Sequence, residues 1–172
     1  LRDAFSLVPE YLRTLDRDGP IRDYNEYTPT LGRRLRALKL WMNLRYFGLE
    51  GMRRRIERHL AMAQRFAGWV DADPEFERLA PAPFSTVCFR HVPAALAANR
   101  GDSSAGERLD ALNVRLMESI NRTGKVFLSH TRLNGRFAIR VAINNLRTEE
   151  ADMDLVWQIV RREAAALGSS PG

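Results

Sequence analysis

The chain has 172 residues, 45% of them hydrophobic and 28% charged, with 27 Lys and Arg against 21 Asp and Glu. That composition suits a soluble globular chain, long enough for one cored domain or pieces of two, and it excludes a low-complexity chain. No apolar run approaches the ~20 residues that cross a bilayer, so no membrane-spanning segment is expected. Residue 1 is Leu1, not methionine, and no signal peptide is visible, which reads as a fragment lacking an N-terminal portion. The single cysteine, Cys88, lies in a strand-like run, has no partner for an internal disulfide and suits a reducing cytoplasm as an inert thiol. His59, His91 and His130 are widely spaced with no cysteine pair or His-Glu cluster nearby, so no metal site is expected. Lys39 and Lys125 are the only lysines, so the net charge of +6 is carried by arginine. The arginines are spread along the chain, and the run Arg53-Arg54-Arg55 has Glu57 close by, the pattern of a solvated helix face rather than a nucleic-acid surface.

In chain order, the first 29 residues carry Pro9, Gly19-Pro20 and Pro29 among charges and predict extended segments. Leu31, Leu35, Leu38 and Met42 then recur at helical spacing, widened by Trp41, with Gly48 as the stop. A second helix carries Met52, Ile56, Leu60, Ala63, Phe66 and Val70 on one side and ends near Asp71-Ala-Asp-Pro74, the candidate domain boundary. Residues 86–92 are β-rich, residues 94–106 read as a loop, and Leu109, Leu112, Leu116 and Ile120 mark a helix closed by Gly124. Two strand-like runs, 126–131 and 136–143, flank Asn134-Gly135, a strong hairpin-turn dipeptide. Phe137, Ile139, Val141 and Ile143 share one face of the second run, and Ala138, Arg140 and Ala142 share the other. Thr148 is the expected cap of a last helix with Glu149 and Glu150 in its first turn. The order predicts an α+β fold with helices packed on a small antiparallel sheet.

Spacing alone yields no catalytic constellation: there is no phosphate-binding glycine loop, nucleophile elbow or paired-carboxylate signature. Arg140 stands out because it sits mid-strand among apolar residues, where a guanidinium calls for a carboxylate or comparable partner.

Longer motifs carry a resemblance. Ala4-Phe5, Pro9-Glu-Tyr11-Leu12, Asp23-Tyr24 and above all Leu31-Gly-Arg-Arg-Leu-Arg-Ala-Leu-Lys-Leu-Trp41 are similar to the aromatic-L-amino-acid decarboxylase family. Val87-Cys-Phe-Arg90, Leu112-Asn-Val-Arg-Leu-Met-Glu-Ser-Ile-Asn121 and Arg140-Val-Ala-Ile143 follow in the same order, so the likeness covers roughly residues 3 to 165. It implies the C-terminal part of a fold-type I, aspartate-aminotransferase-like enzyme. Residues 1–72 would end the large cofactor domain, with a mobile loop at about 6–26 and connecting helices at about 31–70. Residues 73–172 would be the small α+β domain.

The resemblance further implies pyridoxal 5′-phosphate (PLP) as cofactor, a cytoplasmic homodimer, and a small amino acid as substrate, without nucleic-acid or membrane partners. The cofactor-anchoring lysine would lie upstream of residue 1, since neither Lys39 nor Lys125 sits in the family's lysine motif, and this chain alone would be inactive. Tyr11 matches a loop tyrosine that reaches the neighbouring subunit and returns a proton to the substrate carbon after carbon dioxide leaves; otherwise it is an ordinary tyrosine beside a proline. Gly32 matches a position lining the substrate pocket, or else permits tight backbone packing. Arg33 and Arg34 suit structural ion pairs better than anion binding. Arg140 matches the arginine that holds the α-carboxylate in the glutamate-decarboxylase branch, or else forms a structural salt bridge. His130 is given no chemistry, and Cys88 and Trp41 are expected in cores. The implied reaction takes an aromatic L-amino acid to its amine and carbon dioxide. Its rivals are an aldehyde-forming oxidative deaminase, a glutamate or diamino-acid decarboxylase, and a basic binding or dimerisation module.

Overall fold

The computed structural model describes residues 35–97 and 103–168. By its contacts the chain divides at Gly48 into two compact units. Helix α1, Arg36–Ala72, is interrupted at Gly48, whose φ of 67° and ψ of 171° belong to a region that only glycine occupies without strain. The expected stop at Gly48 is therefore present. Before it, Leu38, Leu40, Trp41, Met42, Leu44 and Tyr46 point in all directions from the helix and are all exposed. Trp41, expected in a core, is 58% exposed, because a helix that is apolar all round needs cover on every side.

The second unit is a four-stranded antiparallel sheet of order β1-β2-β4-β3, formed by β1 (Phe76–Arg78), β2 (Thr86–His91), β3 (Ser129–Leu133) and β4 (Arg136–Ala142). Helices α3 (Ser103–Arg122) and α4 (Glu150–Gly168) pack on one face together with residues 49–72 of α1. A single turn, α2 (Ala94–Ala97), follows β2. The core is one cluster: Met62, Ala63, Phe66, Ala67 and Val70 of α1 meet Val87, Phe89, Phe137, Ile139, Val141 and Ile143 of the sheet. Phe66 lies 5.8 Å from Phe89 and 5.6 Å from Trp157, the latter edge-on, and Phe76 lies 5.0 Å from Trp157. Each such buried side chain contributes about 1.5–3 kcal/mol through the apolar surface it withdraws from water. Residues 49–72 thus pack with the sheet, and the contacts divide the chain at Gly48.

The Asn134-Gly135 hairpin forms as expected, with φ of 50° and 77° at its two loop residues, the left-handed pair of a type I′ turn. Its first strand begins at Ser129 rather than Val126, and the expected loop 94–106 holds α2 and the start of α3. The last helix is capped one residue later than expected, the Asp152 carboxylate accepting the Glu149 N–H at 2.8 Å. Strand β1 was not expected at all.

Helix α3 fixes the sheet through polar side chains. Asp110 accepts the Phe137 N–H (2.9 Å), Asn113 pairs with both backbone groups of His91 (2.7 and 2.9 Å), and Asn121 pairs with both of Leu128 (2.7 and 2.9 Å). The buried stripe therefore reads Leu109, Asn113, Leu116, Ile120, and the expected Leu112 is only half-buried.

His91 is 2% exposed, and neither ring nitrogen has a hydrogen-bond partner, Glu75 standing off at 3.9 Å. Burial pulls its imidazole below the usual 6.5, while Glu75 and Asp73 oppose the shift. A group that protonates more readily unfolded than folded costs nothing above its unfolded value and destabilises the fold as pH drops below it. The unfolding temperature is expected to fall from pH 7 to pH 5, and less steeply in His91→Phe; parallel slopes for the two proteins would refute the assignment.

Candidate functional site

The start of α3 (Gly106, Glu107, Leu109 and Asp110) shares a cavity with Glu77, Arg90 and Arg136, and strand alternation turns one face of the sheet away from the core cluster. That face carries Glu77 of β1, Thr86, Cys88 and Arg90 of β2, Ser129 and Thr131 of β3, and Arg136, Ala138, Arg140 and Ala142 of β4. The register sets Cys88, Arg140 and Ser129 side by side across three strands.

The two mid-strand arginines of this face differ. Arg90 is 5% exposed and its Nε and one terminal nitrogen both donate to Glu77 Oε2, at 2.9 and 2.7 Å. Arg136 stands 3.7 Å from the other Glu77 oxygen. Arg140, expected to be a buried charge needing a carboxylate, is exposed, so solvent removes that need. Its Nε donates to Ser129 Oγ at 3.2 Å, and no acidic side chain among the described residues pairs with it. The alternative of a structural salt bridge belongs instead to Arg90. Around Arg140 the face is small and uncharged: Ala138 and Ala142 along its strand, Cys88 and Ser129 across.

Cys88, expected in a core, is half-buried on this face. Burial pushes its thiol up, against the opposing pull of the Arg140 charge, so it stays protonated and adds no anion beside the guanidinium. His130 lies on the other face at the sheet edge, stacked on Phe137 at 5.0 Å. The strand side chains of the face turned from the core include three arginines and one glutamate, with Glu107 and Asp110 of α3 beside Arg90 and Arg136, and Arg140 is the arginine with no acidic partner among the described residues.

Tyr11, Gly32, Arg33 and Arg34 lie outside the described residues, as does the segment expected to be the mobile loop. The structure therefore brings Arg140 together with neighbours to which the sequence assigned no role at a site: Ser129, Cys88, Arg90 and Glu77. The signal for Ser129 was present. A two-residue Asn134-Gly135 loop sets Leu133 opposite Arg136, and counting back in register puts Ser129 opposite Arg140. Glu77 had no such signal, since its three-residue strand exists only by pairing with β2.

A cofactor joined through lysine finds no anchor among the described residues. Lys39 is exposed on α1, and Lys125 is exposed after the Gly124 turn, on a shallow groove beside Phe127, Asp152 and Leu155. No step through the cofactor is assigned to them. Among the described residues no three His, Cys, Asp or Glu side chains gather to hold a metal, and no helix is long and apolar enough to cross a membrane.

Comparison with known proteins agrees with the motifs. Phenylacetaldehyde synthase of a Rosa hybrid cultivar is 37% identical over 171 residues, 99% of this chain and 34% of the relative. Tryptophan decarboxylase 2 of Oryza sativa subsp. japonica is 37% identical over 168 residues, 97% of this chain and 32% of the relative. The crystal structure of Oryza sativa TDC with PLP and tryptamine superposes with a TM-score of 0.78 at 34% identity, over 96% of this chain and 33% of that one. The chain thus spans about a third of the length of these relatives. Residues 1–92 match the model of the pyridoxal-dependent decarboxylase conserved domain. The motifs, the sheet with its helices on one face, and that match agree: the chain belongs to the pyridoxal-dependent decarboxylase family.

Proposed function

We propose that the protein carrying this chain converts an aromatic L-amino acid to its amine and carbon dioxide, and that Arg140 binds the substrate's α-carboxylate. The observation that carries the reading is the state of Arg140: mid-strand on the sheet face turned away from the core, with no acidic partner and only its Nε hydrogen-bonded among the described residues. A guanidinium offers two parallel N–H donors that match a carboxylate, and no acidic side chain among the described residues competes for this one. The long aromatic-type motif of residues 31–41 and the tryptophan decarboxylase relative support an aromatic substrate.

In this reading the chain is the C-terminal part of a fold-type I enzyme, its anchoring lysine upstream. Residues 1–72 end the cofactor domain and residues 73–172 form the small domain, the far half of α1 packing into that domain's core. Tyr11 returns a proton to the α-carbon from a loop that closes over the neighbouring subunit's site, which makes the enzyme a homodimer. Gly32 leaves room for the aromatic ring. A cytoplasmic setting agrees with the lone half-buried Cys88.

A second reading, an aldehyde-forming enzyme, is favoured by the phenylacetaldehyde synthase relative. The test is to assay the full-length protein on tyrosine, tryptophan and dihydroxyphenylalanine, scoring amine, aldehyde and hydrogen peroxide. Amine from the wild type, with a shift to aldehyde and peroxide in Tyr11→Phe, is the expected result. Aldehyde from the wild type would favour the second reading, and no turnover of any aromatic amino acid would sink both.

A further inference from the structure

We propose that Ser129 is the positioning residue that aims Arg140 at the substrate carboxylate; this rests on the carboxylate-binding reading of Arg140. The two residues are direct cross-strand partners at the sheet edge, where facing Cβ atoms stand roughly 4.5–5.5 Å apart, so a short hydroxyl reaches the inner nitrogen of a long side chain. Ser129 Oγ accepts from Arg140 Nε at 3.2 Å.

The choice of nitrogen matters. Holding the guanidinium by Nε fixes its plane and leaves both terminal nitrogens pointing outward as a fork, the edge that binds a carboxylate through two parallel hydrogen bonds. The neighbouring arginine shows the alternative. Glu77 takes Nε and a terminal nitrogen of Arg90 together, consuming one donor edge and neutralising the charge. A neutral hydroxyl at 129 constrains Arg140 without doing either.

The opposite flank agrees. Cys88, the partner of Arg140 on β2, is a protonated thiol that offers no anion. In the row Cys88–Arg140–Ser129 the arginine is thus held on one side and meets no anion on the other. An exposed arginine without such a tether spends its rotamer freedom when it captures an anion; the serine removes part of that cost beforehand.

The experiment uses the full-length holoenzyme and compares KM for the aromatic amino acid with the inhibition constant of its product amine, which lacks the carboxylate. Arg140→Ala tests the underlying reading and is expected to raise KM strongly while sparing the amine. Ser129→Ala is expected to raise KM by roughly three- to tenfold, the net size of one typical solvent-accessible hydrogen bond, with the amine unchanged. Ser129→Thr should restore KM, and Ser129→Asp should raise it further than alanine by neutralising Arg140. Ser129→Ala added to Arg140→Ala should cost nothing more. If Arg140→Ala acts as expected but Ser129→Ala weakens amino acid and amine alike, or changes neither, the positioning role is wrong and the arginine's role survives. If Arg140→Ala leaves KM unchanged, the carboxylate reading falls and the role of Ser129 with it.

Discussion

Replacing Arg140 by glutamine in the full-length enzyme is expected to lower kcat/KM for its aromatic amino acid by about 30- to 700-fold, or about 2–4 kcal/mol. The magnitude follows from what the proposed role would lose: a charge-assisted, two-pronged contact to a carboxylate that binding would withdraw from water. Glutamine keeps the length and a single donor group but cannot supply the fork or the charge. Lysine should recover only part of the loss, since an ammonium is a point donor on a flexible stem and cannot take the Ser129 hydroxyl and a carboxylate in one plane. The fold should be unaffected, because Arg140 is exposed and its only described tie is the hydrogen bond to Ser129. Steady-state kinetics with equal unfolding temperatures for variant and wild type would support this. A kcat/KM within threefold of wild type would remove Arg140 from the substrate site.

The second large effect concerns the fold. Asn113→Leu is expected to destabilise the sheet unit by about 3–5 kcal/mol. Asn113 is 0% exposed and its amide satisfies the His91 N–H, the His91 carbonyl and the Leu109 carbonyl. Leucine keeps the branching and suits the surrounding stripe but is the larger side chain, so overpacking adds to the loss. What is lost is the pairing of two backbone groups of β2, each left buried at a cost of about 1–3 kcal/mol. Domains are stable by only about 5–15 kcal/mol, so such a loss approaches unfolding. Asn121→Leu makes the useful contrast: it removes the same type of clamp from half-buried Leu128 ties, where water can substitute, and should cost about 1–2 kcal/mol. Urea unfolding followed by the fluorescence of Trp69 and Trp157 measures both. Equal losses in the two variants would show that burial of the clamp is not what matters.

These two residues also mark how far the amino-acid order reaches. Periodicity identified the far half of α1, the strand over 86–92 and the helix ending at Gly124, because a face that must be buried leaves its repeat in the chain. The Asn134-Gly135 dipeptide identified the hairpin, because two successive left-handed residues suit few side chains. The long motif at residues 31–41 carried the family, which the comparisons bear out. Asn113 escaped the same reasoning: a stripe argument prefers Leu112, and only the approach of β2 at that height makes an amide the better occupant. Strand β1 escaped because three residues have no period; it is held by Val92 N–H to the Glu75 carbonyl at 2.7 Å, Leu79 N–H to the Cys88 carbonyl at 2.9 Å, and pairing with β2.

The arginines show the division most plainly. Alternation within β4 sets Arg140 opposite Phe137, Ile139 and Val141, and the sequence by itself determined that much; that Arg90 shares its face follows only from the register of β2 against β4. Which of them is buried and neutralised, and which is left available to a ligand, depends on the strand that pairs alongside. β1 brings Glu77 to Arg90, whereas β3 brings only the Ser129 hydroxyl to Arg140. A side chain's direction is a local property of the backbone, but its partner arrives from elsewhere in the chain, and only the tertiary structure decides that.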